Sequence, residues 1–286
     1  MNTILKIKLE TIEFSVWKIG SGSKTAFFLH GFPDSPSSWF EVATKFAEAD
    51  FTCYIPYLRG YHPTKSLGNP ETHSPLEMAD ELNQLVRSIT PKKNISLFGH
   101  DWGSVLAYFM AIRSPELFSE LGLLSVPPIS VFLKNLLFQP EQLVRSWYML
   151  FFQLEKFPEE QIQHNDLISK LWMDWSPGWK LPKDRLQDAI DCLTLGDGSK
   201  EAVSYYRSLL PGFRNFAKWS KARAVGFQKV SIPTKLLVGE LDNCIPPKMF
   251  AGSEYQFLSQ FSFHVIPGAG HFLPLEAPNK IYEILK

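Results

Sequence analysis

Six short apolar runs, each closed by glycine or proline, are spaced along the chain: 24–31 (KTAFFLHG), 51–60 (FTCYIPYLRG), 94–101 (NISLFGHD), 121–128 (LGLLSVPP), 234–242 (TKLLVGELD) and 261–268 (FSFHVIPG). Continuous apolarity over so few residues suits strands buried on both faces, the environment of a parallel sheet covered by helices. Helical stretches fall between them. Ser74-Pro75-Leu76-Glu77 combines a capping box with proline at the first helical position, and a second helix is expected from Trp102 to about Arg113, stopped by Pro115. The expectation is therefore an α/β fold, a mostly parallel central sheet flanked by helices. Ahead of it, residues 4–19 (ILKIKLETIEFSVWKI) alternate apolar and polar, as a β-hairpin does and a signal peptide does not.

One connection breaks the rhythm. From Pro128 to about Gly226 no strand pattern occurs, and roughly a hundred residues far exceed an ordinary connecting loop. Stretches 140–155, 184–195 and 200–210 have helical spacing, separated by turn-rich 175–183 (WSPGWKLPK) and 196–199 (GDGS). The economical division is a core of residues 1–128 and 227–286, with residues 129–226 inserted as a helical cap over the carboxyl edge of the sheet, where ligands bind in such folds.

Charge excludes some partners. Lys+Arg and Asp+Glu both total 29 in 286 residues, and no basic run offers a phosphate-tracking face, so nucleic acid is not expected. No apolar run approaches the roughly 20 residues that cross a bilayer, and no membrane partner is expected. Cys53, Cys192 and Cys244 are odd in number and lack metal spacing; they read as reduced core thiols of a cytoplasmic protein. Oligomeric state stays open.

The chemistry concentrates in four places. Gly99-His100-Asp101-Trp102-Gly103 sits between a strand and a helix, the setting of a nucleophile elbow, whose central residue is held in a strained conformation and whose neighbours two residues away must be small. His30-Gly31-Phe32-Pro33 follows the first core strand, where the backbone N–H of Phe32 would join that of Trp102 in an oxyanion hole. Asp242 lies just past a strand end, and His271 lies in the loop after the last strand. Nucleophile, acid, histidine is the chain order of this kind of triad. Glu240 is a rival acid, placed earlier in its strand. His62, His73, His164 and His264 read as surface or core residues, His30 and His100 as hydrogen bonders that fix loops, and Glu276 as a residue at a helix start.

Through HGFP, GHDWG, GELD and GAGHF the whole chain resembles the epoxide hydrolases of the α/β-hydrolase fold. The resemblance implies two cap tyrosines that polarise the epoxide oxygen, at positions matched by Tyr148 and Tyr206. Tyr206 shares a helical face with Val203 and Leu210, whereas Tyr205 points elsewhere. It also implies an apolar epoxide as substrate, a vicinal diol as product, and no metal or organic cofactor.

An aspartate at the elbow makes chemical sense. With a reference pKa of about 4 it is an anion at neutral pH and needs no base to attack an sp³ carbon. A serine would leave a stable ether, whereas aspartate leaves an ester that water can cleave. Haloalkane dehalogenases resemble the chain in fold and Asp-Trp pair and form the alternative, although Phe32 stands where many of them carry Asn. Fluoroacetate dehalogenases usually have Arg where Trp102 stands. A non-catalytic ligand-binding protein is the alternative of another class. Two positions depart from the family pattern: His62 replaces a glycine in the loop RGYHPTKS, and Met149 stands where some relatives have Gln.

Overall fold

Strands and helices alternate as the apolar runs require. The computed structural model describes residues 2–67, 74–164, 166–210 and 216–286; His73 lies outside them. The strands are β1 (Asn2–Lys8), β2 (Ile12–Ile19), β3 (Lys24–Leu29), β4 (Phe51–Pro56), β5 (Lys65–Ser66), β6 (Ile95–His100), β7 (Phe118–Leu124), β8 (Thr234–Gly239) and β9 (Phe261–Ile266). They form one sheet in the order β1-β2-β4-β3-β6-β7-β8-β9, with β5 added beside β2. Pairing is parallel from β4 to β9 across the sheet, and antiparallel where β2 meets β1, β4 and β5. The chain starts its parallel set in the middle, at β3, and lays β4 on one side and β6 on the other. That reversal leaves a crevice at the carboxyl ends of β3 and β6, the place where open α/β sheets bind ligands.

Alternation along the strands feeds two cores. Phe27 joins the cluster under α2 (Pro75–Ile89) and α3 (Trp102–Arg113), while Phe28 joins the opposite cluster under α1 (Phe40–Glu48). There Phe28, Phe46 and Phe98 meet with ring centroids 5.2–5.5 Å apart. Burying each ring contributes roughly 1.5–3 kcal/mol. The α2 start is as expected: Glu77 N donates to Ser74 Oγ, and Ser74 N donates back to the Glu77 carboxylate at 3.0 Å.

Between β7 and β8 the described residues form eight helices, α4 (Ile129–Leu136), α5 (Glu141–Arg145), α6 (Trp147–Phe151), α7 (Phe157–Gln163), α8 (Asp166–Trp175), α9 (Lys183–Thr194), α10 (Gly198–Ser208) and α11 (Phe216–Gly226), and a lone bridge from Val230 to Phe257. The single helical stretch expected over 140–155 is two short helices, broken at Ser146, whose hydroxyl accepts from Gln142 Nε2 at 3.0 Å. After β9 come α12 (Leu273–Glu276) and α13 (Pro278–Leu285). The three cysteines are free and buried. Among the described residues no helix is long and apolar enough to cross a membrane.

Candidate active site

Asp101 follows β6, in the turn before α3, at φ 52° and ψ −118°, a backbone region that costs a non-glycine residue about 1–3 kcal/mol. Neighbours hold it there. Asp101 N donates to Leu124 O of β7 at 3.1 Å, and Ser104 Oγ bonds Gly99 O at 2.7 Å. The flanking glycines are obligatory: a Cβ on Gly99 would lie 2.1 Å from Gly103 O, and one on Gly103 would lie 2.1 Å from Leu29 O. The carboxylate is buried. Its Oδ1 accepts from Phe32 N at 2.7 Å. Trp102 opens α3, so its N–H is one of those that a helix leaves without an internal partner. Of the two expected oxyanion-hole donors, the Phe32 N–H is bonded to the Asp101 carboxylate and the Trp102 N–H follows it directly in the chain.

His271 is fully buried beside it, with Nε2 facing Asp101 Oδ2 at 3.5 Å, too far for a full hydrogen bond. On its other edge, Nδ1 donates to Asp242 Oδ2 at 2.9 Å. Asp242 also caps its turn, because Oδ1 accepts from Cys244 N and Ile245 N, both at 2.9 Å. Capping and partnering are one arrangement: two amides fix the carboxylate, and the remaining oxygen aims at the imidazole. Glu240 points away and accepts from Gly268 N at the surface. Burial pulls the His271 pKa down, but the Asp242 charge, the hydrogen bond to Asp242 and the nearby Asp101 carboxylate outweigh it, lifting the pKa to about 10.

The remaining histidines separate by their bonding. His30 Nε2 accepts from Leu58 N at 3.1 Å and Nδ1 meets Gly31 O; burial lowers its pKa to about 4, which keeps it neutral. His100 donates from Nε2 to His271 O at 2.8 Å and so braces the loop of the other histidine. His62 and His164 are exposed, and His264 bonds Ser262 at the last strand.

A cavity of about 320 Å³ opens above Asp101, lined mainly by apolar side chains including Val105, Phe109, Phe132 and Trp219. Tyr148 from α6 and Tyr206 from α10 line it together with Asp101. The two rings meet edge to face at 5.7 Å. The Tyr206 ring meets the Trp102 ring edge to face at 5.3 Å, and Tyr148 OH meets Cys244 Sγ at 3.3 Å. Burial pushes both phenols well above their usual pKa, so both are protonated and able to donate. Tyr205, one residue away, turns its hydroxyl onto Arg59 O in the core. Met149 lines the cavity too, whereas His62 lies outside it, held through its backbone N to Cys192 O. Among the described residues no group of three or more His, Cys, Asp or Glu could hold a metal ion.

A family model for the alpha/beta hydrolase fold matches residues 27–278. The chain belongs to that family. As an α/β hydrolase it is 28% identical over 278 residues to epoxide hydrolase 3 of Xenopus tropicalis, covering 94% of this chain and 72% of that protein. It is 25% identical over 289 residues to epoxide hydrolase 4 of Homo sapiens, covering 98% and 76%. Epoxide hydrolase A of Mycobacterium thermoresistibile superposes on this α/β hydrolase with a TM-score of 0.81 at 18% identity, over all of this chain and 97% of that one.

Sequence reasoning missed three members of the site. Ser176 and Glu276 anchor the His271 loop, and Cys244 contacts Tyr148. Only Cys244 carried a signal, its place two residues after Asp242.

Proposed function

We propose that this α/β hydrolase opens an apolar epoxide to a vicinal diol through a covalent ester on Asp101. One observation carries the reading: an elbow carboxylate shares an apolar cavity with two protonated tyrosines, and a carboxylate-paired histidine stands 3.5 Å behind it. The relatives named above, each called an epoxide hydrolase, support the same substrate class. The reading takes residues 129–226 as the cap, since they are helical where described and supply Tyr148 and Tyr206 to the cavity roof.

In the first half-reaction an Asp101 oxygen attacks a ring carbon. The C–O bond breaks, its electron pair goes to the epoxide oxygen, and Tyr148 or Tyr206 hydrogen-bonds that oxygen and gives it a proton. The phenolate so formed is reprotonated from His271, which carries a proton at neutral pH while Asp101 is charged. Esterification removes that charge, so the imidazolium loses one of its two carboxylate partners and its grip on the proton. His271 is then neutral and, oriented by Asp242, takes a proton from water as the water attacks the ester carbonyl. The N–H groups of Phe32 and Trp102 hold the tetrahedral oxyanion, each contributing about 3 kcal/mol. Collapse frees the diol and restores the Asp101 carboxylate and the His271 imidazolium. Epoxide and water are consumed, diol is formed, and no proton is left over.

Single-turnover reaction in ¹⁸O-labelled water tests the route. Label is expected in the Asp101 carboxylate and absent from the first diol; label entering the diol directly would refute the ester. Halide release from a chloroalkane without diol from an aryl epoxide would move the assignment to a dehalogenase.

A further inference from the structure

The last turn of α8, which belongs to the inserted helices, is bonded to three separate core loops. Trp172 Nε1 donates to Pro33 O, in the loop that supplies Phe32, at 2.5 Å. Beside Asp242, Asn243 N donates to Trp175 O at 3.1 Å and Asn243 Nδ2 to Asp174 O at 2.8 Å. At His271 the link runs through one buried hydroxyl. His271 N donates to Ser176 Oγ at 2.9 Å, and Ser176 Oγ donates to Glu276 Oε1 at 2.7 Å. Glu276 also accepts from Gly270 N at 2.7 Å and Phe272 N at 2.9 Å, so its carboxylate gathers the amides on both sides of the histidine. Packing is as tight as the bonding: a Cβ on Gly270 would lie within 2.5–2.8 Å of Ser176, and the Trp175 ring stands 4.9 Å from the imidazole.

We infer that Ser176 and Glu276 are positioning residues for ester hydrolysis: they fix the height of the His271 backbone, and with it the 3.5 Å approach of Nε2 to Asp101. Neither touches the cavity or the Asp101 carboxylate. The inference rests on the ester route proposed above and predicts a split between its two halves. Nucleophilic attack by Asp101 uses the elbow, the tyrosines and the substrate, none of which Ser176 or Glu276 holds; the His271 proton is called on only after the ring has opened. Attack of water on the ester uses His271, whose loop they do hold. A backbone allowed to drift by about 1 Å costs a positioned proton transfer up to about 100-fold.

The test uses the whole protein as Ser176→Ala and Glu276→Gln, with rapid-quench mass spectrometry of the Asp101 peptide and a slow aryl epoxide such as styrene oxide. Alanine removes the bridging hydroxyl; glutamine keeps the shape but turns one oxygen into a donor facing another donor. In both variants ester formation is expected within about twofold of wild type and ester hydrolysis about 10- to 100-fold slower. Ester then accumulates, and kcat and KM fall together. A merely structural role would depress both half-reactions alike, in step with the folded fraction read by thermal melting, and would overturn the inference. So would hydrolysis at the wild-type rate in both variants. Absence of an Asp101 ester in the wild-type enzyme is a different result: it removes the catalytic route itself.

Discussion

Replacing Asp101 by Asn isolates the electrostatic coupling on which the proton bookkeeping depends. Asn keeps the shape of the side chain and an oxygen for the Phe32 N–H, now 2.7 Å from Oδ1, but it deletes the charge 3.5 Å from His271 Nε2. Two unit charges at that separation attract by about 5 kcal/mol at an effective dielectric constant of about 20. Since 1.36 kcal/mol corresponds to a tenfold change in proton affinity, the imidazole should release its proton about three-thousandfold more readily. Its titration midpoint should fall from about 10 in the native protein to about 6.5 in the variant. The same loss of charge accompanies esterification, so the variant imitates the electrostatics of the intermediate. Heteronuclear NMR of ring-labelled histidine reads the midpoint, with His30, which stays neutral down to about 4, as an internal reference. A His271 midpoint within one unit of the native value, roughly, would mean that Asp242 alone holds the proton, and the coupled release would be wrong.

Tyr148→Phe and Tyr206→Phe should each lower kcat about 10- to 100-fold, and the double variant about a thousandfold or more, in a steady-state diol assay. Tyr205→Phe, which loses only the bond to Arg59 O, should leave kcat unchanged and cost about 1 kcal/mol in a urea titration. Gly99→Ala should cost at least about 3 kcal/mol by the same titration, because no rotamer relieves a Cβ 2.1 Å from a backbone oxygen. Stability should peak near pH 6.5. His30 binds its proton less readily folded than unfolded, so stability is lost as pH falls from 6.5 toward 4. His271 binds it more readily folded, so its contribution is complete below 6.5 and is lost as pH rises toward 10. Melting temperatures across that range check both limbs, and His271→Gln should flatten the alkaline one.

The legible parts of the molecule were those fixed by local chemistry. Glycines two residues either side of Asp101 are a steric demand of the turn itself, and the capping box at Ser74 closes within four residues. Tyr206 was separable from Tyr205 because helical spacing alone assigns neighbours to different faces. Ser176 and Glu276 were not legible, since they meet across 100 residues of chain and each looks ordinary in its own segment. The break at Ser146 was hidden for a similar reason: Gln142, which bonds it, also donates to Cys244 O, a contact 102 residues away. Pairings of this kind follow from how the inserted helices land on the sheet, and no local pattern announces where they land.

The bonds from the end of α8 also bear on protein engineering. Exchanging residues 129–226 for the corresponding stretch of a relative would transplant one half of a lock while leaving its mate behind at Asn243 and at Gly270–Glu276. A chimaera that is to keep turnover must carry both halves from the same parent.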